Sequence, residues 1–227
     1  MKDIKHISVA IDGPSGVGKS TIAKLLSQEL GFVYIDTGAM FRTLAVHVLD
    51  KNTRLSDCEQ VERAIEDADI VIRYIGGTQH MLLNGEDVTD RLRTERVSAA
   101  ASVISQYPKV RQTLLHLQRS IAEKEDVIMD GRDIGTVVLP DADVKIFLTA
   151  APEIRAQRRF DQLKAAGKLE GALLEDILRD QRERDYRDSN REAAPLRAAE
   201  DAVLIDTSLL SADEVKTLIC SEIRGIG

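Results

Sequence analysis

Residues 13–20 constrain the fold of this chain more than any other segment. They read Gly-Pro-Ser-Gly-Val-Gly-Lys-Ser, which is a glycine, four further residues, and then glycine, lysine and serine. An apolar run from His6 to Asp12 precedes them, and apolar residues at helical spacing follow as far as Gly31. A strand, a glycine-rich loop and a helix in this order predict a phosphate-binding P-loop in an α/β domain.

The chemistry of this loop predicts a bound nucleotide. Its glycines allow successive N–H groups to converge on phosphate oxygens, at the positive end of the following helix. We expect the Lys19 ammonium to bind the β- and γ-phosphates of ATP and the Ser20 hydroxyl to hold Mg²⁺. The alternative is a glycine-rich turn that binds no ligand. The predicted nucleotide-binding residues are Gly13, Pro14, Ser15, Gly16, Val17, Gly18, Lys19, Ser20 and Thr21.

Further along the chain, apolar strand-like runs alternate with helical stretches. Val127–Met129, Val144–Leu148 and Val203–Ile205 are rich in β-branched residues and bounded by turn residues. This alternation predicts an α/β fold in which a parallel sheet of about five strands is flanked by helices. Between residues 69 and 88, alternating residues surround the turn Gly76-Gly77 and predict a small antiparallel hairpin inserted into the core.

Composition excludes several classes of protein. The 227 residues are 43% hydrophobic and 30% charged, which is typical of a globular chain, and no apolar run approaches the roughly 20 residues that span a bilayer. The net charge of −7 argues against binding to long nucleic acids. The first seven residues resemble no targeting signal, and Cys58 and Cys220 match no metal spacing. We therefore expect a cytoplasmic monomer with free thiols and small-molecule ligands.

A kinase whose acceptor also carries a phosphate must offset the repulsion between two polyanions, and arginine does this best because it can form two hydrogen bonds to phosphate. Thr37 and Arg42 follow the short apolar run Phe32–Ile35, so that Thr37 lies at a predicted helix start and Arg42 about one turn inside the helix. Arg132 and Asp133 follow another apolar run, at the strand ends where ligands of open α/β sheets bind.

A second group of charged residues lies between positions 184 and 191, at the spacings of three and four that place residues on one face of a helix. A charged helix face is usually only solvated, and its ion pairs are usually surface pairs. Beside a P-loop, the same face is a candidate lid that closes over the transferring phosphoryl group. The group comprises Arg184, Arg187, Asp188 and Arg191.

Four segments of the sequence together resemble those of the bacterial cytidylate kinases, in order and in spacing, over nearly the whole chain. They are G-P-S-G-V-G-K-S-T, D-T-G-A-M-F-R, D-G-R-D-I-G-T-V-V-L-P-D-A and R-E-R-D-Y-R-D-S-N-R. The resemblance implies transfer of the ATP γ-phosphate to CMP or dCMP, in pyrimidine metabolism, by a single P-loop nucleoside monophosphate kinase domain over residues 1–227. It also implies that the hairpin insert, about residues 54–98, belongs to the acceptor-binding region, and that a short lid covers about residues 158–191.

The resemblance also implies roles for individual residues. Thr37, Arg42 and Arg132 would surround the acceptor phosphate, Ser102, Arg111 and Asp133 would face cytosine, and Arg184, Asp188 and Arg191 would reach the sugar and phosphates. Arg158 would approach the ATP phosphates. The predicted catalytic group is Lys19, Arg132, Arg158, Arg184 and Arg187. Two features depart from the family pattern: threonine replaces serine at position 37, and the connection at residues 164–171 differs in length.

The chemistry of cytosine agrees with this assignment. Cytosine presents an amino donor at N4 beside acceptors at N3 and O2, so its reader needs an acceptor such as Asp133 and donors such as Arg111 and Ser102. Taken singly, a strand-end aspartate, a surface arginine and a helical serine are each commoner than a base contact.

Three other functions remain open at the level of sequence. The nearest is a kinase of another small acceptor, such as AMP, UMP or an unphosphorylated metabolite. Another is a nucleotide-dependent switch, although the Asn-Lys-x-Asp segment expected of a GTPase is absent from the sequence. The third is a binding module without catalytic activity, which the arginine clusters disfavour.

Overall fold

The computed structural model describes residues 6–169 and 171–225. The chain forms two compact units, Met1–Val33 with Glu125–Gly227, and Tyr34–Lys124. The strands are β1 Ser8–Asp12, β2 Val33–Asp36, β3 Ile70–Ile75, β4 Thr78–Leu83, β5 Glu86–Asp87, β6 Val127–Gly131, β7 Val144–Thr149 and β8 Val203–Asp206. The α-helices are α1 Lys19–Leu30, α2 Thr37–Asp50, α3 Cys58–Ala64, α4 Glu95–Ile104, α5 Pro108–Ala122, α6 Pro152–Ala165, α7 Leu174–Asn190 and α8 Ala212–Arg224.

The main sheet has five strands in the order β2-β6-β1-β7-β8. The ladders of β1 with β6, β1 with β7 and β7 with β8 are all parallel. Every residue of β6 is buried, as are the last four of β1, which explains why both read as continuous apolar runs rather than as alternating ones. The predicted parallel α/β fold is confirmed.

Parallel pairing places the ends of the strands at one edge of the sheet. Asp12, the last residue of β1, lies opposite Gly131, the last residue of β6. The segment 13–18 follows the first and Arg132 follows the second, so the predicted P-loop lies at the carboxyl edge of the sheet.

The P-loop approaches the end of β7 so closely that its first residue has to be glycine. A Cβ added at Gly13 would lie 2.1 Å from the carbonyl oxygen of Leu148, and the φ angle of +144° disfavours side chains as well. Gly18 adopts a left-handed conformation with φ 97° immediately before α1 begins at Lys19. The glycines thus allow the chain to reverse sharply from β1 into α1.

The second unit contains a separate antiparallel sheet of order β3-β4-β5. The predicted hairpin corresponds to β3 and β4, joined by Gly76 and Gly77 in left-handed conformations. The sheet also has the strand β5, which the sequence did not predict because two acidic residues carry no apolar alternation. The Tyr74 hydroxyl donates to the Tyr34 carbonyl, at 3.0 Å, and so ties β3 to the start of this unit.

The connection predicted between two charged helices is also present. It joins α6 to α7 and contains Gly167 and Gly171, both with positive φ, whereas Glu170 lies outside the described residues. Across residues 6–169 and 171–225, no helix combines the length and apolar character needed to span a membrane.

Candidate active site

The P-loop folds around the side chain of its own lysine. Lys19 is the first residue of α1 and only 6% exposed. Its ammonium donates to the carbonyl oxygens of Gly13, at 2.8 Å, and Pro14, at 2.6 Å. The loop carbonyls therefore hold the cation beside the N-terminus of α1, where anions bind favourably.

Positive charge accumulates around Lys19. Burial lowers the pKa of Lys19 well below its usual value, and the neighbouring charges of Arg132 and Arg184 lower it further, while Asp130 acts in the opposite direction. A phosphate bound here would relieve this repulsion, because an opposite charge favours the charged form of the lysine.

Ser20 and Asp130 place two oxygen atoms side by side. The Ser20 hydroxyl donates to the Asp130 carboxylate at 2.9 Å, and Asp130 is 4% exposed near the end of β6. Hard oxygen ligands of this kind suit Mg²⁺, which completes its coordination with water and nucleotide phosphates. Ser20 was predicted from the sequence as a metal ligand, whereas Asp130 was not, although a carboxylate near the end of an apolar strand beside a P-loop is a usable signal.

Two ion pairs, one part-buried and one buried, join the turn after β6 to the end of α7. The Arg132 Nε donates to Asp188 at 2.9 Å, and Arg191 pairs with Asp133 at 3.2 Å. Both side chains of the second pair are less than a tenth exposed. The structure thus brings together four residues that the sequence predicted to bind substrate but could not place next to one another.

Arg184 contributes to the same cluster. Burial of Asp188 raises its pKa, but the positive charges of Arg132 and Arg184 and the hydrogen bond from Arg132 outweigh this effect, so the pKa lies below its usual value. Asp188 is therefore a carboxylate held among arginines.

Arg187 and Arg158 have partners outside the cluster of Arg132, Asp133, Asp188 and Arg191. Arg187 is exposed and pairs with Glu183 on its own helix at 3.9 Å, so the structure separates it from the Arg184, Asp188 and Arg191 cluster. Arg158 lies on α6, where its guanidinium donates to the backbone carbonyl of Thr207 at 2.5 Å.

In the second unit, Thr37 is the first residue of α2 and Arg42 lies just over one turn later, as predicted. The preceding Asp36 is the N-cap, since its carboxylate accepts from the Ala39 N–H. The same carboxylate accepts from Arg42 at 2.9 Å. The helix start thus supplies a hydroxyl and a guanidinium whose direction is already fixed.

Ser102 and Arg111 lie on α4 and α5 of this unit. Arg111 donates to the Ser105 carbonyl at 3.2 Å, and the Ser105 hydroxyl donates to the Ser102 carbonyl at 3.0 Å. The Arg111 guanidinium also lies over the Phe41 ring, 5.5 Å from its centroid, an aromatic contact that the sequence did not predict. The Ser102 hydroxyl is buried and has no hydrogen-bond partner among the described residues.

Asp12 joins the P-loop to the segment that carries Asp133. Its two carboxylate oxygens accept from the N–H groups of Ile134, at 2.8 Å, and Gly135, at 2.7 Å. These residues begin a π-helical turn, Ile134–Val138, an element often found at functional sites. Burial raises the pKa of Asp12 to about 6, although both backbone hydrogen bonds lower it.

The raised pKa of Asp12 predicts a pH dependence of stability. Well below pH 4 Asp12 is protonated in both the folded and the unfolded chain, whereas between about pH 4 and 6 the unfolded chain ionises Asp12 while the folded chain keeps it protonated. The Asp12 contribution to the free energy of unfolding should therefore fall by about 1–3 kcal/mol between these values. Urea denaturation of the parent and of Asp12→Asn, which has no ionisable group at this position, measures it. A difference between the two that stays constant from pH 4 to 7 would contradict the prediction.

Solved structures share the fold at low sequence identity. A gluconokinase from Sinorhizobium meliloti aligns with a TM-score of 0.51 and 12% identity, covering 98% of this chain and 94% of its own. A protein of uncharacterised function from Eubacterium ventriosum aligns with a TM-score of 0.51 and 14% identity, covering 97% of this chain and 99% of its own. At these identities the similarity supports the fold alone.

Relatives in sequence are much more similar. The cytidylate kinase of Caldicellulosiruptor saccharolyticus is 48% identical over 214 residues, 93% of each chain. That of Caldanaerobacter subterraneus is 46% identical over 218 residues, covering 96% of this chain and 95% of its own. That of Bacillus cereus is 43% identical over 222 residues, 98% of each chain. The model of the cytidylate kinase family matches residues 9–225, and the chain therefore belongs to the cytidylate kinase family.

Proposed function

We propose that this chain transfers the γ-phosphoryl group of ATP to CMP or dCMP, giving CDP or dCDP, as part of pyrimidine nucleotide metabolism. One observation supports the proposal most strongly. The P-loop Lys19 and the two ion pairs Arg132–Asp188 and Arg191–Asp133 lie together at one edge of the sheet. A donor loop and an arginine cluster at one edge supply the charge that two phosphorylated substrates require.

On the donor side, the N–H groups of the P-loop and the N-terminus of α1 bind the ATP phosphates. Lys19 exchanges its bonds to Gly13 and Pro14 for phosphate oxygens and stabilises the charge of the migrating group. Ser20 and Asp130 hold Mg²⁺, which offsets phosphate charge when bound. We assign Arg158 of α6 to the donor side because its guanidinium donates to the Thr207 hydroxyl, which itself donates to the Val17 carbonyl of the P-loop.

On the acceptor side, Thr37, Arg42 and Arg132 bind the CMP phosphate. Arg42 is oriented by Asp36 and Arg132 by Asp188, so neither guanidinium has to be ordered when the substrate binds. Arg184, Asp188 and Arg191 bind the sugar and phosphates.

The cytosine base is read by Ser102, Arg111 and Asp133. The Ser102 hydroxyl is a buried group without a partner among the described residues, and a base edge would satisfy it. Phe41 and Ser105 hold the Arg111 guanidinium in a fixed plane, and Asp133 offers a carboxylate to the N4 amino group.

Closure of α7 over the nucleotides completes the site. It keeps Arg184 and Arg191, which already act on Lys19 and pair with Asp133 respectively, at the transferring group and excludes water, which would otherwise hydrolyse ATP. Arg187, which is exposed and paired with Glu183, joins them only if its side chain changes partner. We also expect a cytoplasmic monomer.

A panel of acceptors tests the function directly. In a coupled assay with ATP and Mg²⁺, CMP and dCMP should be phosphorylated with kcat/KM at least about a hundredfold above AMP, because a site built for one base leaves polar groups unpaired with another. Higher kcat/KM for AMP or UMP than for CMP would assign the chain to a different acceptor.

Loss of the P-loop lysine should remove most of the catalysis. Lys19→Ala should lower kcat by about two orders of magnitude or more, since a positioned cation acts mainly on charge that develops in the transition state. Lys24→Ala, which removes an exposed lysine of the same helix, is the matched control and should leave kcat unchanged. Near-normal kcat in Lys19→Ala would exclude this role.

Replacement of Asp133 should weaken discrimination between bases. UMP presents a carbonyl where cytosine presents N4, so the Asp133 carboxylate repels it, whereas the amide of Asp133→Asn can donate to that carbonyl. The ratio of kcat/KM for CMP to that for UMP should fall by about tenfold or more.

The exposed Asp141→Asn serves as the control for this measurement. Because Asp133 also pairs with Arg191, a variant that slows both substrates equally and keeps the ratio would show that Asp133 positions Arg191 instead of reading the base.

A further inference from the structure

Two backbone carbonyls of the P-loop are held from outside the loop. The Ser15 carbonyl accepts from the Arg155 guanidinium at 3.0 Å, and the Val17 carbonyl accepts from the Thr207 hydroxyl at 3.1 Å. In a planar trans peptide the C=O of one residue and the N–H of the next point in opposite directions. The two contacts therefore direct the N–H groups of Gly16 and Gly18 away from Arg155 and Thr207.

The Arg155 side chain is fixed on several sides. It is 3% exposed, its Nε donates to the Ala150 carbonyl at 3.0 Å, and its remaining nitrogen pairs with Asp185 of α7 at 2.7 Å. A Cβ added at Gly16 would lie 3.1 Å from the Arg155 Cβ, so the loop packs directly against this residue. Arg155 cannot turn away from Ser15 without leaving a buried charge unpaired.

Thr207 is fixed in a similar way just after β8. It is 2% exposed, and its N–H donates to the Thr149 carbonyl at 2.8 Å. Its hydroxyl accepts from Arg158 at 3.1 Å, which leaves the hydroxyl proton for the Val17 carbonyl. The hydroxyl therefore has a defined donor direction.

We propose that Arg155 and Thr207 are positioning residues for ATP: they touch no phosphate but hold two P-loop peptides in the orientation that aims Gly16 N–H and Gly18 N–H at the phosphates. The inference rests on the proposed function, because it takes ATP to be the ligand of the P-loop. A nest of N–H groups binds anions in proportion to how well it is formed in advance, so a loop without these contacts has to be ordered by ATP itself. Binding of the acceptor does not depend on these peptides.

The test compares two substitutions at Thr207, one at Arg155 and one control by calorimetric binding. Thr207→Val keeps the shape but removes the hydroxyl, and Thr207→Ser keeps the hydroxyl. Arg155→Lys removes the guanidinium that donates to the Ser15 carbonyl. The control is Arg159→Lys, because the Arg159 guanidinium donates to Gln162 on its own helix. The dissociation constants are measured for the inert ATP analogue AMP-PNP with Mg²⁺ and, separately, for CMP, with thermal unfolding recorded for each variant.

For AMP-PNP, Thr207→Val and Arg155→Lys should raise the dissociation constant about tenfold, because each leaves a P-loop carbonyl without its donor and the loop less well ordered before ATP binds. Thr207→Ser and Arg159→Lys should stay within about twofold of the parent, and CMP binding should change less than about twofold in every variant. AMP-PNP affinity that is unchanged in both Thr207→Val and Arg155→Lys, or affinities for AMP-PNP and CMP that fall equally, would overturn the proposal. A parent chain that binds CMP but not AMP-PNP would overturn the proposed function itself.

Discussion

The carboxylate of Asp12 holds together the two segments on which the rest of the site depends. It ends the central strand, directly before the P-loop, and binds the first two N–H groups of the turn after Asp133. Because both oxygens are used, the start of the P-loop and the segment that carries Arg132 and Asp133 are fixed relative to each other. The cost is a buried negative charge, which appears in the raised pKa of Asp12.

Three arginines of the first unit are oriented by carboxylates before any substrate binds. Arg132 is held by Asp188, Arg191 by Asp133 and Arg155 by Asp185, and each of these carboxylates follows a strand or lies on α7. A buried guanidinium without such a partner would destabilise the fold, whereas a paired one keeps its charge and its direction. A phosphate that binds beside Arg132 and Arg191 therefore meets preformed donors.

Local sequence patterns were sufficient for the parallel sheet, the P-loop and the hairpin, because apolar periodicity and glycine turns are local signals. They were also sufficient to select Arg132, Asp133, Asp188 and Arg191 as a group, through the family resemblance. They could not show which arginine pairs with which aspartate, because the partners are more than fifty residues apart in sequence. Asp12, Arg155 and Thr207 were missed since their importance lies in contacts with backbone atoms of distant segments, and the π-helical turn has no sequence pattern that distinguishes it.

The way in which Lys19 is held has a consequence for how its positive charge becomes available to a phosphate. Its ammonium donates to two neutral carbonyl oxygens. Neutral acceptors bind a cation less strongly than carboxylates do, so an arriving phosphate displaces them at lower cost. The carbonyls of Gly13 and Pro14 thus satisfy the hydrogen bonds of a buried cation and can still be replaced by phosphate oxygens.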